Sequence, residues 1–421
     1  MATTKNILFI SYFAGVNANC PAEWADDRLR AMSSMGINSI VLTNYGSDLQ
    51  SADSMTVYKT PSLSSDDFFH ELMLRRMWGA KSTFGEYILR GIVFVFGSML
   101  RILTKILTRG GSGGKWSWLI SSVPVGIWLA LTKSIDIIYC TGGPPSAYFV
   151  GLIVSWITRK PLKIEFQDPL VGAEINSSGY KQRVVRAVEK LILNNSNLCV
   201  YVTKKAADDS RQRNPTFAKR IIHNYPAAWD FNIGTSNGSS ATNLPLTILH
   251  MGTLYGTRNL DKFFLAIDSL YSEGKLVRGS IEVINLGSVY TSNAEEYQRR
   301  ADFKLLRERS RIEAMRIAKD AKFLLLVQHD DNRSAETIPY KLYDYMNLNK
   351  PIIMLIKNRE IRELCPDYAD FIADCGNENE IRSAIEAALQ IISTKGYDNL
   401  ISENCRPRRL EINQQISNIL C

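Results

Sequence analysis

The chain has 421 residues, too many for one ordinary hydrophobic core, so two domains of roughly 150 to 200 residues are expected. Its hydrophobic content of 45% and charged content of 22% are typical of globular proteins and exclude a disordered chain or a polytopic membrane protein. The 50 Lys and Arg residues outnumber the 42 Asp and Glu residues, and the resulting charge of +8 favours anionic partners. No nucleic-acid-binding motif accompanies these basic residues, so nucleic acid is not an expected partner.

The cysteines and the N-terminus point to a reducing compartment. Seven cysteines occur as a dispersed, odd-numbered set with no C-x-x-C pair, which argues against structural disulfides and zinc. The segment "MATTKNILFISYF" leads directly into a strand-like run and has none of the features of a signal peptide. We therefore expect a cytoplasmic protein.

The first half of the chain alternates strands and helices. The run "KNILFISYFAG" is strand-like, a helix is predicted over residues 21–35, and "NSIVLT" is the next strand. The pattern continues with strands at "DIIYCTGG", "PLKIEF" and "NLCVYVT", and with helices at "SAYFVGLIVSWIT" and over residues 179–195. This order is that of a doubly wound parallel sheet, so we predict a Rossmann-like domain over residues 1–222.

A change of composition separates this domain from a second one. Residues 223–243 are rich in Asn, Ser and Gly and are interpreted as a linker. A second Rossmann-like domain is predicted over residues 244–400, with a charged helix extending to about residue 322 and a short helix at 339–347. Residues 401–421 are predicted to form a helical segment that packs back on the N-terminal domain.

Two apolar stretches have the length or composition of membrane segments. Residues 137–158 carry no charge, but Gly and Pro interrupt them, so a strand, a tight loop and a helix are preferred to a membrane span. In residues 87–110, Arg and Lys punctuate an apolar helix. This segment is interpreted either as a peripheral membrane contact, on the inner face of the plasma membrane, or as a core helix.

Chemistry-bearing residues cluster in "ETIPYKLYDYMNLNKPII". Lys341 near the start of the predicted helix places a positive charge where a phosphate can bind. Asp344 lies about one turn further along and can accept hydrogen bonds from two ribose hydroxyls. Glu336 precedes the helix and can meet sugar hydroxyls. The alternative is a solvated helix with a Lys–Asp pair on its surface.

Glycines follow several of the predicted strands. Gly252 and Gly287 end strands of the second domain, Gly256 follows in the same loop as Arg258, and Gly15 follows the first strand of the chain. Glycine lets the backbone approach a diphosphate, and arginine can neutralise it. Ligands of open parallel sheets bind at such strand ends.

The order of these motifs resembles the retaining glycosyltransferases of family 4, which have the GT-B fold of two Rossmann-like domains facing across a cleft. The resemblance covers nearly the whole chain except residues 60 to 115. Its donor-domain motifs are "LTILHMGTLYGTRNLDKFFLAI", "AKFLLLVQHDD" and "ETIPYKLYDYMNLNKPIIM", and its acceptor-domain motifs are "EWADDRLRAMSSMGINSIVLT" and "PLKIEFQDPLVG".

The resemblance assigns roles to individual positions. The family's Glu-x7-Glu pair falls on Glu336, which would contact the donor sugar, and on Asp344, which would contact the ribose. The family's phosphate-binding Arg and Lys fall on Thr253 and Arg258, so one positive charge is replaced. Gly15 matches the acceptor-domain glycine loop, although the usual second glycine is absent.

The implied reaction transfers a sugar with retention from a UDP-, GDP- or ADP-sugar to a hydroxyl of a glycan or lipid-linked acceptor in cell-surface polysaccharide synthesis. Arg258 and Lys341 would stabilise the leaving diphosphate. No metal or other cofactor is expected, since the four histidines show no ligand spacing. Asp168 and Ser146 are predicted to line the acceptor side. The alternatives are a nucleotide-sugar 2-epimerase on the same fold and a degenerate binding or scaffold subunit.

Overall fold

The computed structural model describes residues 5–16, 20–77, 79–107, 114–172, 179–233, 245–348, 350–395 and 411–420. Contacts divide the chain into two compact units. The N-terminal unit comprises Met1–Val171, Ile175–Tyr225 and Ile412–Cys421, and the C-terminal unit comprises Gly172–Glu174 and Pro226–Glu411.

The N-terminal unit is built on a parallel sheet that has seven strands in the described part of the chain, in the order β3-β2-β1-β4-β5-β6-β7. β1 is one of the inner strands of this sheet, paired with β2 on one side and β4 on the other. The apolar residues of β1 are buried because helices cover both faces of the sheet. The strands are β1 (Asn6–Ile10), β2 (Asn38–Asn44), β3 (Met55–Thr60), β4 (Ile137–Thr141), β5 (Leu162–Phe166), β6 (Leu198–Tyr201) and β7 (Ile221–His223).

The helices of this unit connect successive strands. Residues 137–158 form β4 and a helix, which confirms the preference for a strand, a loop and a helix over a membrane span. The helices are α1 (Cys20–Ser34), α2 (Ser65–Met77), α3 (Phe84–Leu107), α4 (Trp118–Thr132), α5 (Pro145–Thr158), α6 (Tyr180–Asn195) and α7 (Lys204–Arg213).

The C-terminal unit repeats this plan with a six-stranded parallel sheet among its described residues, in the order β12-β10-β8-β13-β14-β15, and a small pair β11-β9. The strands are β8 (Leu246–Met251), β9 (Leu254–Tyr255), β10 (Ile281–Leu286), β11 (Val289–Tyr290), β12 (Phe303–Leu306), β13 (Phe323–Val327), β14 (Ile352–Leu355) and β15 (Ile372–Ala373). The helices are α8 (Asp261–Ser272), α9 (Ala294–Arg299), α10 (Arg311–Asp320), α11 (Lys341–Asn347), α12 (Glu360–Leu364) and α13 (Glu378–Lys395).

One predicted element of this unit is wrong. The charged helix expected up to about residue 322 is interrupted by β12, which separates α9 from α10. β12 is an edge strand that pairs with β10, and each of its residues keeps part of its surface exposed. Its lysine and its exposed positions therefore resemble a solvated helix, whereas inner strands are recognisable as apolar runs.

The segment predicted as a linker, residues 223–243, is described as far as residue 233. Its first residue belongs to β7, and residues from Pro226 onward belong to the C-terminal unit. Asn347 on α11 donates hydrogen bonds to the carbonyls of Ala228 (3.2 Å) and Trp229 (3.3 Å). The segment thus packs against α11 at Ala228 and Trp229. Residues 234–243 lie outside the described part.

The last described helix, α14 (Ile412–Leu420), belongs to the N-terminal unit. The Nζ atoms of Lys5 and Lys163 donate to the carbonyls of its last residues, Leu420 and Ile419, at 3.1 Å and 2.8 Å. Such contacts at the C-terminal end of a helix satisfy carbonyls that have no partner within it. Residues 401–410, the first part of the predicted C-terminal segment, are outside the described residues.

Candidate active site

Two glycines bring the ends of neighbouring strands into contact. Gly252 follows β8, Gly287 follows β10, and the amide of Gly252 donates to the carbonyl of Leu286 at 2.6 Å. Both glycines have positive φ values, +115° and +140°. A β-carbon on Gly287 would lie only 2.7 Å from the carbonyl carbon of Gly252. The close approach therefore requires glycine at both strand ends, where no side chain covers the backbone.

Lys341 lies directly over this glycine pair. A β-carbon built on Gly252 would lie 1.8 Å from the Nζ atom of Lys341. Tyr345, one turn later on α11, accepts a hydrogen bond from the amide of Met251 at 2.9 Å and donates to the carbonyl of Leu325 at 3.3 Å. Because residues at i and i+4 share a helix face, this clamp directs Lys341 toward the end of β8.

Helix α11 is shorter than predicted, so the positive charge at this position comes from a side chain and not from the helix dipole. α11 begins at Lys341 and has seven residues, whereas the sequence analysis expected a helix from residue 339. A helix this short has only a weak dipole, so its N-terminus does not form a phosphate site of its own. The ammonium group of Lys341 is the cationic element here.

The pKa of His250, the fifth residue of β8, depends on the charges around it. Its Nδ1 atom and the Oδ1 atom of Asn285 are 2.6 Å apart, and Asn285 donates to the carbonyl of Gly287 at 2.9 Å. Burial, then the nearby charge of Lys341 and that of Arg258, lower the pKa of His250 to about 3, against the opposing effect of the Asn285 hydrogen bond. Both cations therefore lie close to the end of β8.

Arg258 is carried by a tight turn after β9. The backbones of Tyr255 and Arg258 exchange two hydrogen bonds of 3.0 Å, and Gly256 between them has a φ of +54°. The guanidinium carbon of Arg258 lies 5.4 Å from the centre of the Tyr255 ring, within the range of a cation–π contact. Thr253, in the same loop, is half-buried.

Asp344 has a partner that the sequence analysis did not identify. Its carboxylate is buried and accepts from Arg311 at 2.5 Å from Nη2 and at 3.2 Å from Nε. Arg311 is the first residue of α10, and its guanidinium lies over the rings of Phe231 and Tyr340 at 5.1 Å and 5.5 Å. A two-point ion pair of this kind fixes the orientation of the carboxylate.

Glu336 ends a 3₁₀ turn and is buried. The loop that carries it is held at the next residue, because the carbonyl of Thr337 accepts from Gln328 at 3.0 Å and from Asn358 at 2.8 Å. Gln328 in turn accepts from the amide of Lys357 at 2.9 Å. Side-chain amides from two strand ends thus define the position of the loop.

Gly15, predicted to contact a phosphate, and the two residues predicted for the acceptor side lie after neighbouring strands of the N-terminal unit. Gly15 follows β1, Ser146 is in the first turn of α5 after β4, and Asp168 is exposed after β5. The amide of Gly15, at a φ of +72°, donates to Asp26 at 3.0 Å, and burial raises the pKa of Asp26 to about 7. Since β1, β4 and β5 are adjacent, the fold brings these residues to one edge of its sheet.

A group of potential metal ligands lies elsewhere in the C-terminal unit. Asp330, Asp374 and Cys375 come together, but the Nζ atom of Lys357 lies 2.9 Å from Asp330 and 2.7 Å from Asp374. These hydrogen bonds raise the pKa of Lys357. A lysine ammonium already bridges the two carboxylates, so this group is assigned a structural role.

The sequence analysis missed Arg311, His250, Asn285 and Tyr345. Arg311 directly follows Ser310, which caps α10 through a capping box with Glu313, so the start of that helix was recognisable from the sequence. No sequence signal linked Arg311 to Asp344, because 33 residues separate them.

No protein-family model and no curated protein matches the chain. Solved structures match along nearly its whole length. Anabaena HepE in complex with UDP-glucose has a TM-score of 0.61 at 14% identity and covers 99% of both chains. The lipopolysaccharide outer core galactosyltransferase WaaB has a TM-score of 0.56 at 13% identity, with 99% of both chains covered. An α,α-trehalose-phosphate synthase from Burkholderia xenovorans has a TM-score of 0.62 at 10% identity, covering 98% of this chain and 97% of its own.

At these identities the likeness shows the fold alone. The chain has the α/β architecture of the GT-B glycosyltransferases, with one parallel sheet in each of two units.

Proposed function

We propose that the chain is a glycosyltransferase that moves a sugar from a nucleotide-diphosphate sugar to a hydroxyl group of a glycan or lipid-linked acceptor. The observation that carries this proposal is the contact of the Lys341 ammonium with Gly252, where β8 and β10 end. Arg258 adds a second positive charge near His250. Two cations beside glycine backbone that no side chain covers suit a diphosphate.

The carboxylates supply the remaining donor contacts. Arg311 fixes Asp344, whose oxygens keep lone pairs that can accept hydrogen bonds from ribose hydroxyls. Glu336, on the loop held by Gln328 and Asn358, would contact the sugar. We assign Thr253 and Gly287 to the backbone that lines the donor.

The proposed reaction proceeds with retention at the face from which the leaving group departs. The acceptor oxygen forms a bond to the anomeric carbon while the bond from that carbon to the diphosphate oxygen breaks. The proton of the acceptor hydroxyl passes to the departing diphosphate. Lys341 and Arg258 stabilise the negative charge that develops on this leaving group, and such electrostatic stabilisation is usually the largest catalytic contribution.

The structural neighbours support the substrate class. The HepE structure contains UDP-glucose, and WaaB is named a lipopolysaccharide galactosyltransferase. By analogy we propose a UDP-sugar as the first donor to test and cell-surface polysaccharide synthesis, in the cytoplasm at the inner face of the plasma membrane, as the role. Ser146 and Asp168 would then contact the acceptor, and Gly15 a phosphate of the donor.

The epimerase alternative is less well supported. An epimerase needs acid–base groups that exchange protons near neutral pH. The charges of Lys341 and Arg258 both lower the pKa of His250, which is buried and has a pKa of about 3. It therefore stays neutral and does not act as a proton donor at pH 7.

The proposal is tested with a panel of UDP-, GDP- and ADP-sugars, scoring nucleotide release with and without glycan and lipid-linked acceptors. Release that requires an acceptor supports transfer, whereas a changed sugar without acceptor indicates an epimerase. Binding without any turnover indicates a scaffold subunit. Lys341→Met should lose activity, and Lys262→Met, at an exposed lysine on α8, is the matched control.

A further inference from the structure

Helix α3 exposes an unusually large apolar surface. Its residues Phe84–Ile106 are long and apolar enough to cross a membrane by length and composition, and 11% of that window is buried in the protein. Soluble proteins rarely leave such a continuous apolar surface in water. The exposed large side chains are Phe84, Tyr87, Ile88, Ile92, Phe94, Val95, Phe96, Met99, Ile102, Leu103 and Ile106, called here the α3 apolar face.

Two of the basic residues of α3 form ion pairs with acids of their own unit. Arg90 donates to Glu86 at 2.9 Å, and Arg101 forms an ion pair of 3.0 Å with Asp66 of α2. Among the exposed residues between 84 and 106, the polar ones are Tyr87, Ser98 and Lys105. The sequence analysis expected basic side chains to provide membrane contact, but the structure pairs two of them with acids of the same unit.

Helix α3 packs along α2 of its own unit. Val93 is buried in a cluster with Phe68 and Leu72 of α2. One turn later, a β-carbon on Gly97 would lie 3.0 Å from the amide nitrogen of Ser65, so glycine allows close approach there. With the Arg101 ion pair, these contacts follow α3 over several turns. The helix lies along its own unit, with the opposite side exposed.

We propose that the α3 apolar face inserts into the interfacial region of a lipid bilayer, with the helix axis parallel to the membrane plane. A lipid surface fits better than a protein partner, because protein interfaces surround their apolar centre with a polar rim and about one hydrogen bond per 100 to 200 Å². The α3 apolar face offers few such groups over a helix of roughly 36 Å, at about 1.5 Å per residue. Exposed Lys105 can extend to the headgroups.

The neighbouring helix also exposes apolar side chains. α2 packs against α3 and exposes Phe69, Met73 and Met77. Binding should therefore depend on buried apolar area and be nearly independent of lipid charge and of salt. This distinguishes the proposal from attachment through basic residues, which salt would weaken.

The test is flotation of the purified full-length protein with phosphatidylcholine vesicles at low salt and at about 1 M salt, where screening reduces the Debye length to about 3 Å. The wild type should float under both conditions. A double variant, Phe94→Glu with Ile102→Glu, should reduce the floated fraction at least tenfold. Both side chains are exposed, at 78% and 54%, so the fold should survive, as circular dichroism can verify.

The matched control is Val277→Glu, at an apolar residue of the C-terminal unit that is 74% exposed. This variant should float like the wild type. The proposal is overturned if wild-type protein stays at the bottom with phosphatidylcholine or floats only with anionic lipid at low salt. It is equally overturned if sedimentation shows a stable dimer that the double variant dissociates. Flotation needs no donor or acceptor sugar, so its result is independent of the proposed transferase activity.

Discussion

The ammonium group of Lys341 occupies the space beside Gly252 that any other residue would need for its β-carbon, 1.8 Å from that position. The lysine is on α11 and the glycine is at the end of β8, so two residues about 90 positions apart in the chain together place a positive charge at this strand end. The clamp of Tyr345 on Met251 keeps the two elements in register.

Gly252→Ala should weaken the binding of a nucleotide diphosphate roughly ten- to hundredfold, the value of one charged hydrogen bond. Because the atom in conflict is the end of a flexible side chain, the protein should fold while Lys341 moves away. Calorimetric titration measures the affinity. Gly256→Ala is the control, since that glycine also has a positive φ but has open space around it.

A double-mutant cycle tests whether displacement of Lys341 causes the loss of nucleotide affinity in Gly252→Ala. In a Lys341→Met background, Gly252→Ala should cost little further affinity, because the displaced ammonium is already absent. Additive losses would show that backbone strain at Gly252, and not the position of Lys341, controls binding.

Arg258→Ala should lower turnover by about a hundredfold or more, since removing one group that stabilises developing negative charge typically costs about 3 to 4 kcal/mol. Arg278→Ala is a close control. The guanidinium of Arg278 also lies over a tyrosine, Tyr271, at 5.2 Å, but this arginine is exposed and follows α8 in the sequence, whereas Arg258 precedes it. Steady-state turnover rates of both variants test whether the loss is specific to Arg258. Similar losses would mean that Arg258 contributes only to packing.

The inner strands of both sheets could be predicted because physical constraints leave a clear pattern. β13, "FLLLV", is buried at every position, since helices cover both faces of a parallel sheet. The edge strand β12 could not be recognised, because its partly exposed residues do not form an apolar run. The strand-end glycines were recognised as a group, and the structure brings Gly252 and Gly287 into contact.

Side-chain partners were harder to predict than elements. The spacing of Lys341 and Asp344 gave two interpretations, a ligand site and a surface ion pair. Neither included Arg311, which reaches Asp344 from the start of another helix. Contacts between distant segments depend on the packing of helices on the sheet, and a single sequence carries no record of them.

The buried carboxyl of Glu71 should make stability depend on pH. It accepts from Tyr12 at 2.6 Å and from the amide of Ser62 at 3.0 Å, and burial raises its pKa from 4.5 to about 7 despite these hydrogen bonds. The folded state therefore retains a proton that the unfolded state releases. Stability from this group is complete below pH 4.5, falls as the pH rises to about 7 and is constant above it.

The difference of 7 − 4.5 in pKa corresponds to roughly 3 kcal/mol of unfolding free energy. Glu71→Gln should remove its part of this dependence, which urea unfolding between pH 4.5 and 8 can measure, and leave the part from Asp26, whose pKa burial also raises to about 7. Glu295→Gln, at an exposed glutamate, should leave the wild-type slope unchanged. An unaltered slope in Glu71→Gln would show that another group is responsible.

The buried pair of Arg311 and Asp344 allows structural and ligand-binding roles to be separated. Asp344→Asn should lower the unfolding free energy by roughly 3 to 5 kcal/mol, because it removes the carboxylate charge opposite Arg311, whose side chain is largely buried. Replacing both residues, Arg311→Met with Asp344→Leu, should restore much of that stability, since apolar residues of similar volume often substitute for a buried ion pair.

Nucleotide affinity should not follow stability in this series. If Asp344 binds the ribose, the double variant remains defective for free nucleotide diphosphate, by about 1 to 3 kcal/mol for a lost charged hydrogen bond. Glu336→Gln should leave that affinity nearly intact and reduce sugar transfer, because Glu336 is assigned to the sugar. Calorimetry on the variants, paired with turnover assays, tests both assignments. If the stable double variant binds nucleotide normally, Asp344 serves the fold through Arg311 and the ribose contact must be sought elsewhere.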